Sequence, residues 1–192
     1  MAYKGTTGVL ALQGDFQEHL NVLDSMGVKT ALVKLPEDLK HVDRLIIPGG
    51  ESTTIGKLMD MYGLITPIRD RIKSGMPVWG TCAGAILLAK NIADGITGQP
   101  KIGVMDITAR RNAFGRQLDS FEHKILMPDV SKKPIPVAFI RAPIFEKLGK
   151  RVETLGTVDG HVVAARQGKM LVTAFHPELK GSRELHEYFL SL

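Results

Sequence analysis

The chain alternates short, β-rich apolar runs with segments whose apolar residues recur at helical spacing. A first apolar run at residues 8–12 is followed by Phe16, Leu20 and Leu23, which repeat at helical spacing up to Gly27. Such alternation is typical of a mostly parallel sheet with helices on its faces. It predicts an α/β fold, a single three-layer domain over residues 1–192 with a mixed, mostly parallel central sheet flanked by helices.

The pattern changes along the chain. Further strands are predicted at residues 30–33, 45–47 and 77–80, and helices after Ser52, at 65–73 and at 83–92. Extended runs then predominate, at residues 105–109, 136–140, 152–158, 162–166 and 170–175, before a final helix at 182–192. The second half is therefore expected to be more antiparallel.

Composition excludes several kinds of chemistry. A single cysteine allows no intramolecular disulfide, no C-x-x-C redox pair and no multi-cysteine zinc site. The net charge is +5, but the basic residues are scattered among acids and aromatic residues make up 6%, which disfavours a nucleic-acid surface. We expect a cytoplasmic protein, because no apolar run approaches the roughly 20 residues that span a bilayer.

The lone cysteine, Cys82, lies in GTCAG at positions 80–84, between an apolar strand and an apolar helix. A nucleophile on a tight strand-to-helix turn requires small neighbours, and the start of a helix favours a thiolate. The backbone N–H of Ala83 would point to a developing oxyanion. The alternative is a buried structural cysteine, which is the commoner fate of a lone thiol.

A reactive thiol needs a base, and His176 is the best candidate of six histidines. It follows the apolar run at 170–175, and on an extended segment Glu178 would point to the same side and orient the imidazole. The other histidines are expected to be polar surface residues, and none forms an H-E-x-x-H zinc motif, so no metal is expected. These five are His19, His41, His123, His161 and His186.

A second loop, PGGEST at positions 48–53, also lies between a strand and a helix, and Ser52 is predicted to cap that helix. Paired glycines let a ligand approach the backbone, so the N–H of Gly50 is a candidate second oxyanion donor. The spacing does not match a phosphate-binding loop, and no G-x-G-x-x-G follows a strand. A plain tight turn is the alternative.

Seven segments together resemble the class I, triad-type glutamine amidotransferases, and among them the glutaminase subunits of pyridoxal 5′-phosphate synthases. They cover nearly the whole chain in order. The segments are LALQG at 10–14, PGGESTT at 48–54, GTCAG at 80–84, RNAFGRQ at 111–117, SFE at 120–122, FIRAP at 139–143 and FHPEL at 175–179.

The resemblance implies a role for each matching residue. Cys82, His176 and Glu178 would be the catalytic triad, and the amides of Gly50 and Ala83 the oxyanion hole. The glutamine site would consist of Gly50, Glu51, Ser52, Arg111, Ile140 and Arg141. Arg110 departs from the acidic residue found there in many relatives, which leaves the charge at the substrate rim open.

The resemblance also implies a reaction and a partner. L-glutamine would be hydrolysed without a cofactor, and the ammonia would pass to a barrel-shaped synthase subunit in a large, ring-based hetero-oligomer. That subunit would join ammonia to ribose 5-phosphate and glyceraldehyde 3-phosphate. Three alternatives remain: an amidotransferase of another pathway, such as imidazole glycerol phosphate synthesis, a cysteine hydrolase or peptidase that needs no partner, and a non-enzymatic binding module.

Overall fold

A computed structural model describes residues 4–111 and 120–192, and these form one large sheet and one small sheet. The first six strands are β1 (Thr7–Leu10), β2 (Thr30–Val33), β3 (Arg44–Ile47), β4 (Val78–Thr81), β5 (Ala89–Ile92) and β6 (Met105–Arg110). The next six are β7 (Ser120–Ile125), β8 (Ile135–Ile140), β9 (Ile144–Glu146), β10 (Glu153–Val158), β11 (His161–Gln167) and β12 (Met170–Thr173).

The large sheet is mixed and mostly parallel, as the sequence predicts. Its strand order is β2-β1-β3-β4-β12-β11-β9-β6-β5, and β10 pairs with β11. The pairs from β2 through β4 to β12 are parallel, whereas β11 runs antiparallel to β9, β10 and β12. The small sheet is the antiparallel pair β7 and β8. The expectation of a more antiparallel second half is therefore confirmed.

Helices pack against the large sheet. They are α1 (Phe16–Ser25), α2 (Ser52–Met61), α3 (Ile65–Lys73), α4 (Ala83–Leu88) and α5 (Glu184–Leu190), with 3-10 turns at Pro36–His41 and Glu178–Lys180. Helix α1 contacts β1 and β2, and α4 contacts β3, β4 and β12. Buried aliphatic residues of the central strands, such as Ile46 and Val172, form one continuous core with the inner faces of these helices. Among the described residues, none of the helices has the length and apolarity needed to cross a membrane.

The prediction of one helix over residues 83–92 is wrong beyond Leu88. Ala89 adopts extended angles, φ −63° and ψ 136°, and begins β5, which pairs in parallel with β6. Every residue of α4 is buried, and so is Ala89. The buried apolar run of α4 continues without a break into Ala89, the first residue of β5, so periodicity could not locate this boundary.

The loops that follow β1 and β3 are joined at the carboxyl end of the sheet, where ligands collect in open α/β folds. The N–H of Asp15 donates to the carbonyl of Gly49 at 3.1 Å, and the N–H of Glu51 donates to Oε1 of Gln13 at 2.8 Å. The turn after β4 and the segment after β12 lie beside them, because β4 is paired with both β3 and β12. Four sequence-distant segments thus meet at one edge.

Candidate active site

Cys82 occupies a strained turn between β4 and α4. Its backbone has φ 46° and ψ −102°, a region that non-glycine residues rarely adopt, and its N–H donates to the carbonyl of Thr173 at 2.8 Å. A Cβ at Gly84 would lie 1.9 Å from the carbonyl oxygen of Ile47, and one at Gly80 would lie 2.5 Å from Gly84. Glycine is needed at position 84 because the turn is packed against β3, and at position 80 because β4 is packed against the start of α4.

His176 follows β12 and is held by its backbone. Its N–H donates to the carbonyl of Ala138 on β8 at 2.7 Å, and its carbonyl accepts from the Ala138 N–H at 3.2 Å. The ring lines the same cavity as Cys82, and its Nδ1 lies 2.7 Å from Oε1 of Glu178. The structure therefore brings together the thiol, imidazole and carboxylate that the sequence singles out.

Burial and hydrogen bonding compete at His176. Burial alone would lower the pKa of His176, but its interactions with Cys82 and Glu178 together raise that pKa to about 11. Burial raises the pKa of Glu178, and the contact with His176 opposes this rise. The imidazole is consequently protonated at neutral pH and stabilised by its two partners.

The thiol and imidazole line a cavity of about 480 Å³, a volume in the range of small-molecule sites. All the residues predicted for the site line it except Glu178, which lies behind His176. The lining consists of Asp15, Gly50, Glu51, Ser52, Cys82, Ala83, Ile86, Arg111, Ile140, Arg141 and His176.

Glu51, and not Ser52, caps α2. Its Oε1 accepts from the N–H of Thr53 at 3.0 Å, and its Oε2 accepts from the N–H and hydroxyl of Thr54 at 2.7 and 2.6 Å. Burial would raise the pKa of Glu51, but these hydrogen bonds lower it to about 2. Ser52 is the first residue of α2 and is buried beside the cavity, where its hydroxyl accepts from Gln99 at 3.5 Å.

Arg111 and Arg110 point to different partners. The Arg111 side chain donates to the carbonyl oxygen of Asp94 at 2.5 Å and lies at the cavity. Arg110 forms a two-point ion pair with Glu146 across β6 and β9, at 2.9 and 3.1 Å, and is not among the cavity-lining residues. Its charge is thus neutralised away from the substrate rim. The rest of the predicted motif, residues 112–117, lies outside the described residues.

The end of β8 forms another wall of the cavity. Sγ of Cys82 lies 3.8 Å from the carbonyl oxygen of Ile140. The next residue, Arg141, has a positive φ of 45°. The turn therefore presents the Ile140 and Arg141 side chains at the rim, while the preceding residues of β8 hold His176.

Sequence reasoning missed Asp15, His19 and His186. Oδ2 of Asp15 lies 3.4 Å from Nδ1 of His176, and Asp15 follows LALQG, the loop after β1. His19 and His186 are fully buried, so the expectation that they lie on the surface is wrong. The available signal that these positions face the core was the apolar residues three and four positions further along each helix, Val22 and Leu23 after His19 and Phe189 and Leu190 after His186.

Asp15, His176 and Glu178 are also close enough to share a cation. One donor atom from each lies within 4.8 Å of the others. A histidine ligand must be deprotonated, and the raised pKa of His176 disfavours that form. Hydrogen bonding of a protonated imidazole accounts better for this cluster.

Comparisons with known proteins agree with this geometry. The profile of the SNO glutamine amidotransferase family matches residues 9–192. A pyridoxal 5′-phosphate synthase subunit PdxT from Roseiflexus sp. (strain RS-1) is 60% identical, with 97% of this chain and 100% of the relative covered. The PdxT subunit of Herpetosiphon aurantiacus is also 60% identical over 97% of this chain and 100% of that relative.

A solved structure extends the similarity to three dimensions. A protein described as a glutamine amidotransferase superposes with a TM-score of 0.91 at 47% identity, over 96% of this chain and 97% of that one. The family profile covers almost the full length, and the relatives match throughout. The chain therefore belongs to the SNO glutamine amidotransferase family.

Proposed function

We propose that this chain is the glutaminase subunit of a pyridoxal 5′-phosphate synthase and that residues 1–192 act as one glutamine amidotransferase domain. The observation that carries the proposal is the triad at a cavity of about 480 Å³: the Cys82 thiol and the His176 imidazole line it, and the Glu178 carboxylate is hydrogen-bonded to His176. The identity of 60% with two PdxT subunits supports the choice of pathway.

The first half-reaction breaks the side-chain amide of glutamine. The sulfur of Cys82, as a thiolate paired with the His176 imidazolium, attacks the carboxamide carbon and forms a C–S bond. The backbone N–H groups of Gly50 and Ala83 stabilise the oxyanion, a contribution of about 3–4 kcal/mol for one such donor in related chemistry. His176 then donates its proton to the nitrogen, the C–N bond breaks, and ammonia leaves a γ-glutamyl thioester.

The second half-reaction restores the thiolate. Water attacks the thioester carbon as neutral His176 takes its proton, the C–S bond breaks, and glutamate leaves. Glu178 retains its negative charge throughout and stabilises the imidazolium each time it forms. The short contact of 2.7 Å between Nδ1 of His176 and Oε1 of Glu178 fits that role.

The cavity has charges for both ends of the substrate's amino acid moiety. The guanidinium groups of Arg111 and Arg141 match the α-carboxylate, and the carboxylates of Glu51 and Asp15 match the α-ammonium group. Gly50, Ser52 and Ile140 complete the wall around the substrate. The paired charges favour an entire amino acid over a simple amide.

Ammonia released into water is lost to synthesis, so the reaction is useful when a synthase subunit receives it. We propose the barrel-shaped synthase subunit as that partner, in a ring-based hetero-oligomer. The chemistry also requires that the free thiol of Cys82 stay reduced, which suits the cytoplasm as the proposed location.

A coupled assay with the purified synthase subunit tests the proposal. Wild-type protein should release glutamate and support pyridoxal 5′-phosphate formation from glutamine, whereas Cys82→Ala should do neither. Lys73→Ala, a change at the exposed end of α3, is the matched control and should behave as wild type. Ammonium salt in place of glutamine should restore product with Cys82→Ala. Full glutamate release by Cys82→Ala would refute the proposed nucleophile.

A further inference from the structure

Two buried histidines lie behind the triad and take no part in the mechanism above. His19 on α1 and His186 on α5 are both fully buried, 167 residues apart in sequence, with Nδ1 of His19 3.0 Å from Nε2 of His186. Both rings pack edge-on against Trp79, at centroid distances of 5.4 and 4.9 Å. A polar pair in this position needs a complete set of hydrogen-bond partners.

The partners of the two rings determine which nitrogens carry protons. Burial lowers the pKa of His186 to about 4 and lowers that of His19 well below its usual range, so each ring is neutral and has one N–H. Nδ1 of His186 lies 3.3 Å from the carbonyl oxygen of Ser182, which can only accept, so the His186 proton is on Nδ1.

The chain of contacts continues from His186 through His19 to the triad. Nε2 of His186 must accept, so Nδ1 of His19 donates to it and Nε2 of His19 has a lone pair. That lone pair accepts from the hydroxyl of Thr81, 3.2 Å away, in the residue before the nucleophile. The same nitrogen lies 3.6 Å from Oε1 of Glu178. An unprotonated nitrogen therefore faces the triad carboxylate.

We propose that His19 is a positioning residue that denies Glu178 a second side-chain donor and thereby directs its charge to His176. This inference rests on the triad role given to Glu178 in the proposed function. Oε1 of Glu178 accepts from His176, and its buried Oε2 has no hydrogen-bond partner among the residues that the structure describes. A donor from His19 would share the negative charge and weaken the support of the imidazolium.

The other titratable groups around Glu178 do not take over this role. They are His176, whose ring is the established partner, and Asp15, whose negative charge reaches Glu178 and cannot donate. His186 is one ring further away and bonds to His19 and Ser182. His19 is thus the neighbouring ring whose proton placement decides how many side-chain donors Glu178 has.

Nitrogen NMR of the ¹⁵N-histidine-labelled wild-type chain tests the inference without an activity measurement. We expect His19 to be neutral, with a protonated Nδ1 and an unprotonated Nε2, its signals assigned by their loss in a His19→Leu variant. A protonated Nε2 in His19 would overturn the inference. Absence of glutaminase activity in the wild-type complex would instead refute the proposed function and leave this readout unaffected.

Two substitutions separate positioning from packing. His19→Gln places a side-chain amide donor within reach of Glu178, so kcat should fall about tenfold, the equivalent of one pKa unit, with KM unchanged. His19→Leu provides no donor and should keep kcat within about twofold, although it should have the lower Tm because Thr81 and His186 lose a partner. A larger kcat loss in His19→Leu than in His19→Gln, or an unchanged kcat in His19→Gln, would contradict the inference.

Discussion

Mild acid is expected to destabilise this fold through His186. The pKa of His186 is about 4 in the folded chain, because burial disfavours the charged ring, against an ordinary value of 6.5. Between these two values the unfolded chain binds a proton that the folded chain does not. The stability that neutral His186 contributes is therefore fully present above about pH 6.5 and is lost as the pH falls toward 4.

The size of the effect follows from the separation of the two pKa values. At about pH 5 the unfolded imidazole is almost fully protonated and the folded one almost fully neutral, so His186 alone should remove about 2 kcal/mol of unfolding free energy. His19, whose pKa is also lowered, mainly by burial, adds to this loss. His176, whose pKa is raised, changes the stability in the opposite direction over this range, so the part due to His186 is the difference between wild type and a variant that lacks this imidazole.

Urea unfolding at about pH 7.5 and pH 5 measures this loss. Trp79 is the only tryptophan, is fully buried and lies 4.9 Å from His186 between ring centroids, so its fluorescence reports the unfolding of this region. His186→Phe should reduce the acid-induced loss by about 2 kcal/mol, whereas His41→Gln, at an exposed histidine, should not. An equal acid-induced loss in wild type and His186→Phe would refute the reasoning.

Three further changes test the cavity walls. Glu51→Ala should lower the unfolding free energy measured in urea by about 1 kcal/mol, because it removes the cap of α2. In wild type the stabilisation by this cap is fully present above the ordinary glutamate pKa of 4.5 and is lost as the pH falls toward 2. Gly84→Ala should lower Tm and reduce kcat at least about tenfold, since its Cβ would lie 1.9 Å from a backbone oxygen; wild-type values would contradict that packing. Arg111→Ala should raise KM for glutamine about tenfold, whereas Arg110→Ala should leave KM unchanged. Equal KM values in the two variants would argue against Arg111 as the arginine that binds glutamine.

The turn around Cys82 could be predicted because its requirements are local. Small residues at positions 80 and 84 are needed wherever a nucleophile sits between a strand and a helix, and the contact of Gly84 with Ile47 gives the physical reason here. His176 and Glu178 were predictable for a similar reason, since they are two residues apart beside a buried strand.

Contacts between distant parts of the chain could not be predicted from the sequence. Asp15 reaches His176 only because the loops after β1 and β3 are hydrogen-bonded to each other. The pairing of His19 with His186 depends on the packing of α1 beside α5, 167 residues later. Strand β7 was missed because most of its side chains are exposed and polar, which removes the apolar signal of a strand.

The two hydrogen bonds between Ala138 and His176 have a consequence for how this enzyme can evolve. They join main-chain atoms only, at 2.7 and 3.2 Å, so they hold the base in place whatever side chains β8 carries. Two residues further along the same strand, Ile140 begins the cavity rim. Selection can therefore alter the side chains that recognise the substrate without moving the imidazole, and substrate preference and catalytic geometry are free to change separately.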